Sequence, residues 1–166
     1  MSAAGDPASD RQTLSLQPYA LPLQAPWRSA RGTLRERRGW LGRASASGAT
    51  GYGDCAPLPE AGTEQPADAE RTLVLLAAEI AGLRIADALA HPRLHAGGSP
   101  AACGAVECAL IDHQARLVGL PFPHCWSAHA GLPARGRPAR VGVNAALGSL
   151  MDLRSDDLAC ALGAGY

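Results

Sequence analysis

The stretch Gly51-Tyr52-Gly53-Asp54-Cys55-Ala56-Pro57-Leu58-Pro59 changes character at Ala56, and the chain reads differently on either side of it. Upstream, Thr50 to Ala56 reads as a strand whose partner is Gly39 to Ala46, the two being joined at Ser47-Gly48. Downstream, Ala56 to Gly62 is rich in turn formers, and helix signals follow. Thr63 is a candidate N-cap, Pro66 falls in the first turn, and Glu64, Asp68 and Glu70 lie near the positive end of the helix dipole. Leu73, Leu76, Ala77 and Ile80 share one face of this helix, and Gly82 is its expected stop.

Further toward the N-terminus, the Leu14/Leu16 alternation predicts a half-buried strand from Arg11 to Tyr19. Pro18, Pro22 and Pro26 then force an extended exit, and Ala25 to Thr33 is expected to be a loop leading to the arginine-rich Arg35 to Arg38. The three strands make an antiparallel meander. Toward the C-terminus, a short helical piece spans Ile85 to Ala90, before Pro92. A buried helix follows with Ser99 as N-cap, Pro100 at its first position, and Cys103, Val106, Leu110 and Leu117 at helical spacing until Gly119. Ser127 to Arg140 lacks periodicity and reads as a connector. Val141 to Ala145 reads as a strand, and Ser155 with Asp156 and Asp157 opens a helix through Leu158 and Leu162. A strand followed by a helix is half of a βαβ unit that wants a parallel partner, so on sequence the chain is expected to be unfinished beyond Tyr166.

Composition narrows the function classes. The 166 residues are 47% apolar and 18% charged with zero formal net charge, which suits one soluble domain and fits poorly with fibrous, disordered or strongly basic nucleic-acid-binding proteins. All fifteen basic residues are arginine. Chemistry that needs an amine base, a Schiff base or a phosphate-cradling lysine therefore cannot reside in this polypeptide. No run approaches the roughly 18 apolar residues of a membrane span, so no membrane partner is expected. Met1 to Asp10 reads as a flexible tail rather than a signal peptide. With five cysteines in no secreted-scaffold spacing, a reduced cytoplasmic setting with buried thiols is the expectation.

Three segments together resemble the enolase superfamily, in its muconate-lactonising and o-succinylbenzoate synthase branch. Residues 51–59 followed by Gly62-Thr63-Glu64 are similar to the family's G-Y-G-E-x-A-P-L-P stretch, with Asp54 standing one methylene short of the usual Glu. Ser99-Pro100, Ala105-Val106-Glu107-Cys108-Ala109-Leu110-Ile111-Asp112 and Gly119-Leu120-Pro121 are similar to its A-x-E-x-A-L-x-D helix, and Val141-Gly142-Val143-Asn144 to its first barrel strand. The resemblance implies an α+β fold: a flexible tail at 1–10, an enolase-like N-terminal capping domain at 11–134, and the start of a truncated (β/α) barrel at 135–166.

In that family the barrel supplies a K-x-K pair and three acidic Mg²⁺ ligands, which together abstract a proton beside a carboxylate. The resemblance thus implies the N-terminal portion of an o-succinylbenzoate synthase-like enzyme, whose complete form carries out a Mg²⁺-assisted dehydration in menaquinone synthesis. No catalytic residue and no metal ligand is expected in this chain. The alternatives are the cap of a dipeptide epimerase or muconate cycloisomerase, or a non-catalytic stand-alone module. The cap's implied role is to close the barrel mouth over a small carboxylate substrate with two loops. The first carries Trp27 as an apolar wall with Arg28, Ser29 and Arg31, since a guanidinium can grip a carboxylate through two parallel hydrogen bonds. The second carries Leu58 and Pro59. If so, Trp27 is exposed; the alternative is that it packs as core against Leu73 and Leu76.

Other patterns are weaker. Cys103, Cys108, His113, His124, Cys125 and His129 lack C-x-x-C or H-x₃-H spacing, which argues against zinc in favour of buried cysteines and surface histidines. Gly51-x-Gly53 is too short for a dinucleotide fingerprint. The arginines after Arg31 are interrupted by Glu36 in a neutral chain, so nucleic acid is not an expected partner.

Overall fold

A computed structural model describes residues 11–133 and 154–164. Three strands, β1 (Thr13–Ser29), β2 (Gly32–Ala46) and β3 (Ala49–Cys55), form a meander in the order β1-β2-β3. Helices α1 (Pro66–Ile80), α2 (Ile85–Leu89), α3 (Pro100–Val118), α4 (Phe122–His129) and α5 (Ser155–Gly163) follow, with short 3₁₀ turns at Pro59–Ala61 and Pro92–His95. No helix among the described residues is long and apolar enough to cross a membrane.

The β2–β3 hairpin closes through Ser47 and Gly48, both at positive φ (50° and 77°), the twist that a two-residue hairpin requires. Its register pairs Ala46 with Ala49 and runs to Trp40 opposite Cys55. The first hairpin departs from expectation. β1 continues past Tyr19 to Ser29, and what reads as a loop from Ala25 to Thr33 is strand, a tight turn at Ala30-Arg31, and strand again. The prolines do not end the strand because β1 is an edge strand. Pro18, Pro22 and Pro26 are four residues apart, so in a regular strand their missing donors fall on one side, and an edge strand has one side that carries no ladder.

The core is made by α1 and α3 against the sheet. Leu73, Leu76 and Ile80 of α1 and Val106, Leu110 and Ile111 of α3 are fully buried together with Ala44 and Cys55. α3 approaches β3 closely, and Gly51 and Gly53 make this possible. A methyl group on Gly53 would overlap the Ala105 carbonyl and stand 3.0 Å from the Ala109 nitrogen; one on Gly51 would overlap the His113 nitrogen and the Ala109 carbonyl oxygen. Along α3, Ala105, Ala109 and His113 are spaced by four, so they form the ridge that lies over this gap. Asp112 Oδ2 accepts from the Tyr52 backbone nitrogen at 3.0 Å, while Glu107 pairs with His129 at 2.8 Å to join α3 and α4. Beside α1, Glu79 meets the Arg93 guanidinium through two hydrogen bonds, which hold its carboxyl below the ordinary carboxylate range.

Several local expectations are corrected. Thr63 does not cap α1; its Oγ1 accepts from the Leu58 nitrogen at 2.5 Å, and Gln65 occupies the N-cap position. Ser99 sits at the N-cap of α3, but its hydroxyl pairs with that of Thr72 at 2.8 Å. The donors of α3 are taken instead by Glu64, whose carboxylate accepts from Ala101 and Ala102 at 3.1 and 2.8 Å. The connector from Ser127 is partly helix, because α4 places Cys125 in the core and runs to His129. Leu117, expected to be buried, is 39% exposed, because the last turn of α3 passes the edge of the core. His113 is fully buried rather than on the surface, and its Nε2 donates to the Ala46 carbonyl at 2.9 Å. Of the cysteines, Cys55, Cys103 and Cys125 are buried, Cys108 is half-buried and Cys160 is exposed; burial pushes the Cys103 and Cys108 thiols up. The tail at 1–10 and the strand expected at Val141 to Ala145 lie outside the described residues.

By compactness the chain divides into two units, residues 1–20 with 38–134, and residues 21–37 with 135–166. The core belongs to the first. In the second, α5 has Asp157 accepting from the Arg154 nitrogen at its start and contributes no buried residue.

Candidate functional site

The nominated residues form two groups. Trp27, Arg28 and Ser29 end β1, and Arg31 lies in the turn that follows. β3 ends at Cys55, paired with Trp40, so among the described strands residues 32–39 of β2 have only β1 as a sheet neighbour. Trp27 is 56% exposed where Leu73 and Leu76 are fully buried. Trp27 is therefore not core. Arg28 and Arg31 are also exposed. Ser29 holds the turn together. Its Oγ accepts from the Arg31 nitrogen at 3.2 Å and reaches the Gly32 carbonyl at 3.4 Å, while Gly32 takes a φ of 141° that favours glycine.

The second group, Leu58 and Pro59, sits in a closed turn. The Leu58 carbonyl accepts from Ala61 at 2.8 Å, the Pro59 carbonyl accepts from Gly62 at 3.0 Å, and Gly62 is left-handed at φ 97°. With Thr63 bonded back to the Leu58 nitrogen, the turn has a defined shape, and both residues are half-buried, each presenting part of its apolar surface to solvent. The two groups belong to different units, and each is described by itself. The hairpin end offers an exposed indole and, from Arg28 on the opposite strand face and Arg31 in the turn, guanidinium groups able to grip a carboxylate; the second turn offers apolar contact from Leu58 and Pro59 next to Glu60.

Sequence reading missed a cleft of about 600 Å³ within the first unit, lined by Pro18, Tyr19, Trp40, Pro66 and Glu70 among others. None of the six nominated residues lines it. The recurrence of proline and aromatic residues was visible in sequence, but only the packing of α1 beside the strands makes them neighbours. No three His, Cys, Asp or Glu side chains among the described residues converge to hold a metal ion.

The three-stranded antiparallel meander followed by helices matches the fold of the enolase-superfamily N-terminal capping domain. Among solved structures, the chain is similar to members of the mandelate racemase/muconate lactonizing enzyme group. A dipeptide epimerase from Enterococcus faecalis V583, complexed with Mg and L-Leu-L-Tyr, matches with a TM-score of 0.62 at 21% identity, over 69% of this chain and 34% of that one. A muconate lactonizing enzyme from Pseudomonas fluorescens, complexed with muconolactone, matches with 0.60 at 24% identity, over 70% and 33%. A dipeptide epimerase from Cytophaga hutchinsonii, complexed with Mg and D-Ala-L-Val, matches with 0.59 at 26% identity, over 67% and 31%. The chain thus spans about a third of the length of these proteins. No family model and no curated protein matches it.

Proposed function

We propose that this chain is the capping portion of an o-succinylbenzoate synthase-like enzyme of the enolase superfamily, and that it has no activity alone. The observation that carries this reading is the capping fold with Trp27 exposed at the hairpin turn, in a chain without lysine. In the complete enzyme the reaction is a dehydration of a cyclohexadiene carboxylate in menaquinone synthesis, in the cytoplasm. There Mg²⁺, held by the barrel, stabilises the enolate-like charge. The residues of this chain bind and enclose. On the hairpin turn held by Ser29, Trp27 supplies an apolar wall and Arg28 and Arg31 grip a substrate carboxylate; on the turn after β3, Leu58 and Pro59 supply apolar contact. A second reading, the cap of a dipeptide epimerase or muconate cycloisomerase, is favoured by the neighbours named above.

The purified chain, assayed with Mg²⁺ on the cyclohexadiene carboxylate, on dipeptides and on muconate, is expected to give no turnover. Turnover abolished by a chelator overturns the reading. Sequencing the DNA downstream of Tyr166 separates a cap from a stand-alone module: a K-x-K-encoding continuation supports the first, unrelated sequence the second.

A further inference from the structure

The cleft beside α1 contains neither Trp27 nor Leu58, and its lining has a chemistry of its own. Its volume of about 600 Å³ falls within the roughly 300–1,000 Å³ of ligand clefts. Two half-buried aromatics, Tyr19 and Trp40, come from β1 and β2; two exposed prolines, Pro18 and Pro66, come from β1 and the start of α1. Tyr19 is fixed in place. Its Oη donates to Asp54 Oδ1 at 2.6 Å, and since Tyr19 is on β1 and Asp54 on β3, the bond crosses β2. The ring has room there because position 39 has no side chain: a methyl group on Gly39 would stand 2.5 Å from Oη and 2.7 Å from Cζ. With its hydroxyl proton committed to Asp54, Tyr19 offers a ligand chiefly its ring.

Trp40 is the reverse case. Its Nε1 has no hydrogen-bond partner among the described residues, yet it is not one of the buried polar atoms left without one, so its N–H is accessible and free to donate. Two charges complete the lining. Arg38 already has a partner within the protein, whereas Glu70, exposed on α1, makes no ion pair among the described residues. A fitting ligand therefore brings a carbonyl for one indole N–H, ring surface for the aromatics and prolines, and a positive charge for Glu70. A polyproline II segment meets the first two needs by its construction. It has no internal hydrogen bonds, so its carbonyls are free to accept, and its rings pack on aromatic faces. Peptides of other composition lose freedom on binding that a proline-rich segment has already given up.

We propose that the cleft of Pro18, Tyr19, Trp40, Pro66 and Glu70 is a docking site for a proline-rich segment of a partner protein, bound in the polyproline II conformation with an arginine or lysine of that segment at Glu70. The Trp40 N–H donates to a carbonyl of the segment, Tyr19 and the two prolines pack on its rings, and Glu70 sets its direction. The site stands independently of the capping reading.

The test is a ¹H–¹⁵N titration of the full chain with a capped penta-proline peptide ending in arginine, read at the indole N–H signals of Trp27, Trp40 and Trp126. The Trp40 signal is expected to shift saturably with a Kd of about 1 mM or tighter, while the other two stay in place. Glu70→Gln is expected to weaken binding about two- to fivefold, the worth of an exposed ion pair, and a peptide ending in glutamate at least as much. Trp40→Phe keeps a ring and removes the donor, and is expected to weaken binding about three- to tenfold. Trp40 also packs against the core, so if that variant does not fold, Glu70→Gln and the peptide series decide. A penta-alanine peptide ending in arginine is expected not to bind. No saturable shift at Trp40, equal binding of the alanine peptide, or unchanged affinity in Glu70→Gln overturns the proposal. Tighter binding of benzamidine, a small aromatic cation, than of the proline peptide would assign the cleft to a small molecule and equally overturns it.

Discussion

Gly51 and Gly53 are the residues on which helix-to-sheet packing turns. Their missing side chains let the backbone of α3 reach β3, and the atoms a methyl group would meet are backbone atoms of Ala105, Ala109 and His113. Backbone in a helix cannot rotate out of the way as a side chain can. Gly53→Ala is therefore expected to cost more than the roughly 1–3 kcal/mol usual for overpacking, read as a lower urea midpoint or loss of folding. Gly104→Ala is the control, because it lies in α3 with nothing within 4 Å of the added methyl. It is expected to stabilise by up to about 1 kcal/mol through helix propensity alone. Equal effects of the two would show that propensity and not the close approach dominates. In sequence, Gly51-x-Gly53 could be excluded as a dinucleotide fingerprint, but its use was invisible, because an absent side chain acquires meaning only from what stands opposite it.

Among the elements, α3 depends on a residue outside itself. Its first turn leaves unpaired N–H groups, and Ser99, although in position, turns its hydroxyl to Thr72. Glu64 accepts from Ala101 and Ala102 while only 8% exposed, so it caps α3 from the connection before α1. Charge-assisted bonds of this kind are worth about 1.5–3 kcal/mol, and truncation strands two donors in a nearly dry place. Glu64→Ala is expected to lose about that much in chemical denaturation, and Glu64→Gln, which keeps one acceptor oxygen, about half. A loss within about 0.5 kcal/mol for Glu64→Ala would mean that water caps the helix equally well. Sequence placed α3 correctly from Ser99-Pro100 and Gly119, and recognised Glu64 as an acidic group near a helix start. It assigned Glu64 to the nearer helix, since the dipole argument is local and the true partner is 37 and 38 residues away.

For the whole molecule, every buried residue of the described core falls between Gln12 and Cys125, and α5 contributes none. A chain ending at residue 153, without α5, is therefore expected to unfold cooperatively with a stability within about 0.5 kcal/mol of the full chain, measured in urea. A drop of several kcal/mol would show that α5 belongs to the same cooperative unit. The sequence alone determined the order of the three strands, the helices around Leu73–Ile80, Ile85–Leu89 and Pro100–Val118, the turn at Ser47-Gly48, the start at Pro100, and the absence of a lysine, because these depend on composition or on residues a few positions apart. Only the tertiary structure decided that β1 runs on through three prolines, that Trp27 lies outside the core, that His113 lies within it, and that Tyr19 reaches Asp54 across Gly39. Each of those depends on what a distant segment places alongside: an unpaired edge, a missing third strand, a close helix or an empty position on the middle strand. Such neighbours leave no signal in the local pattern of residues.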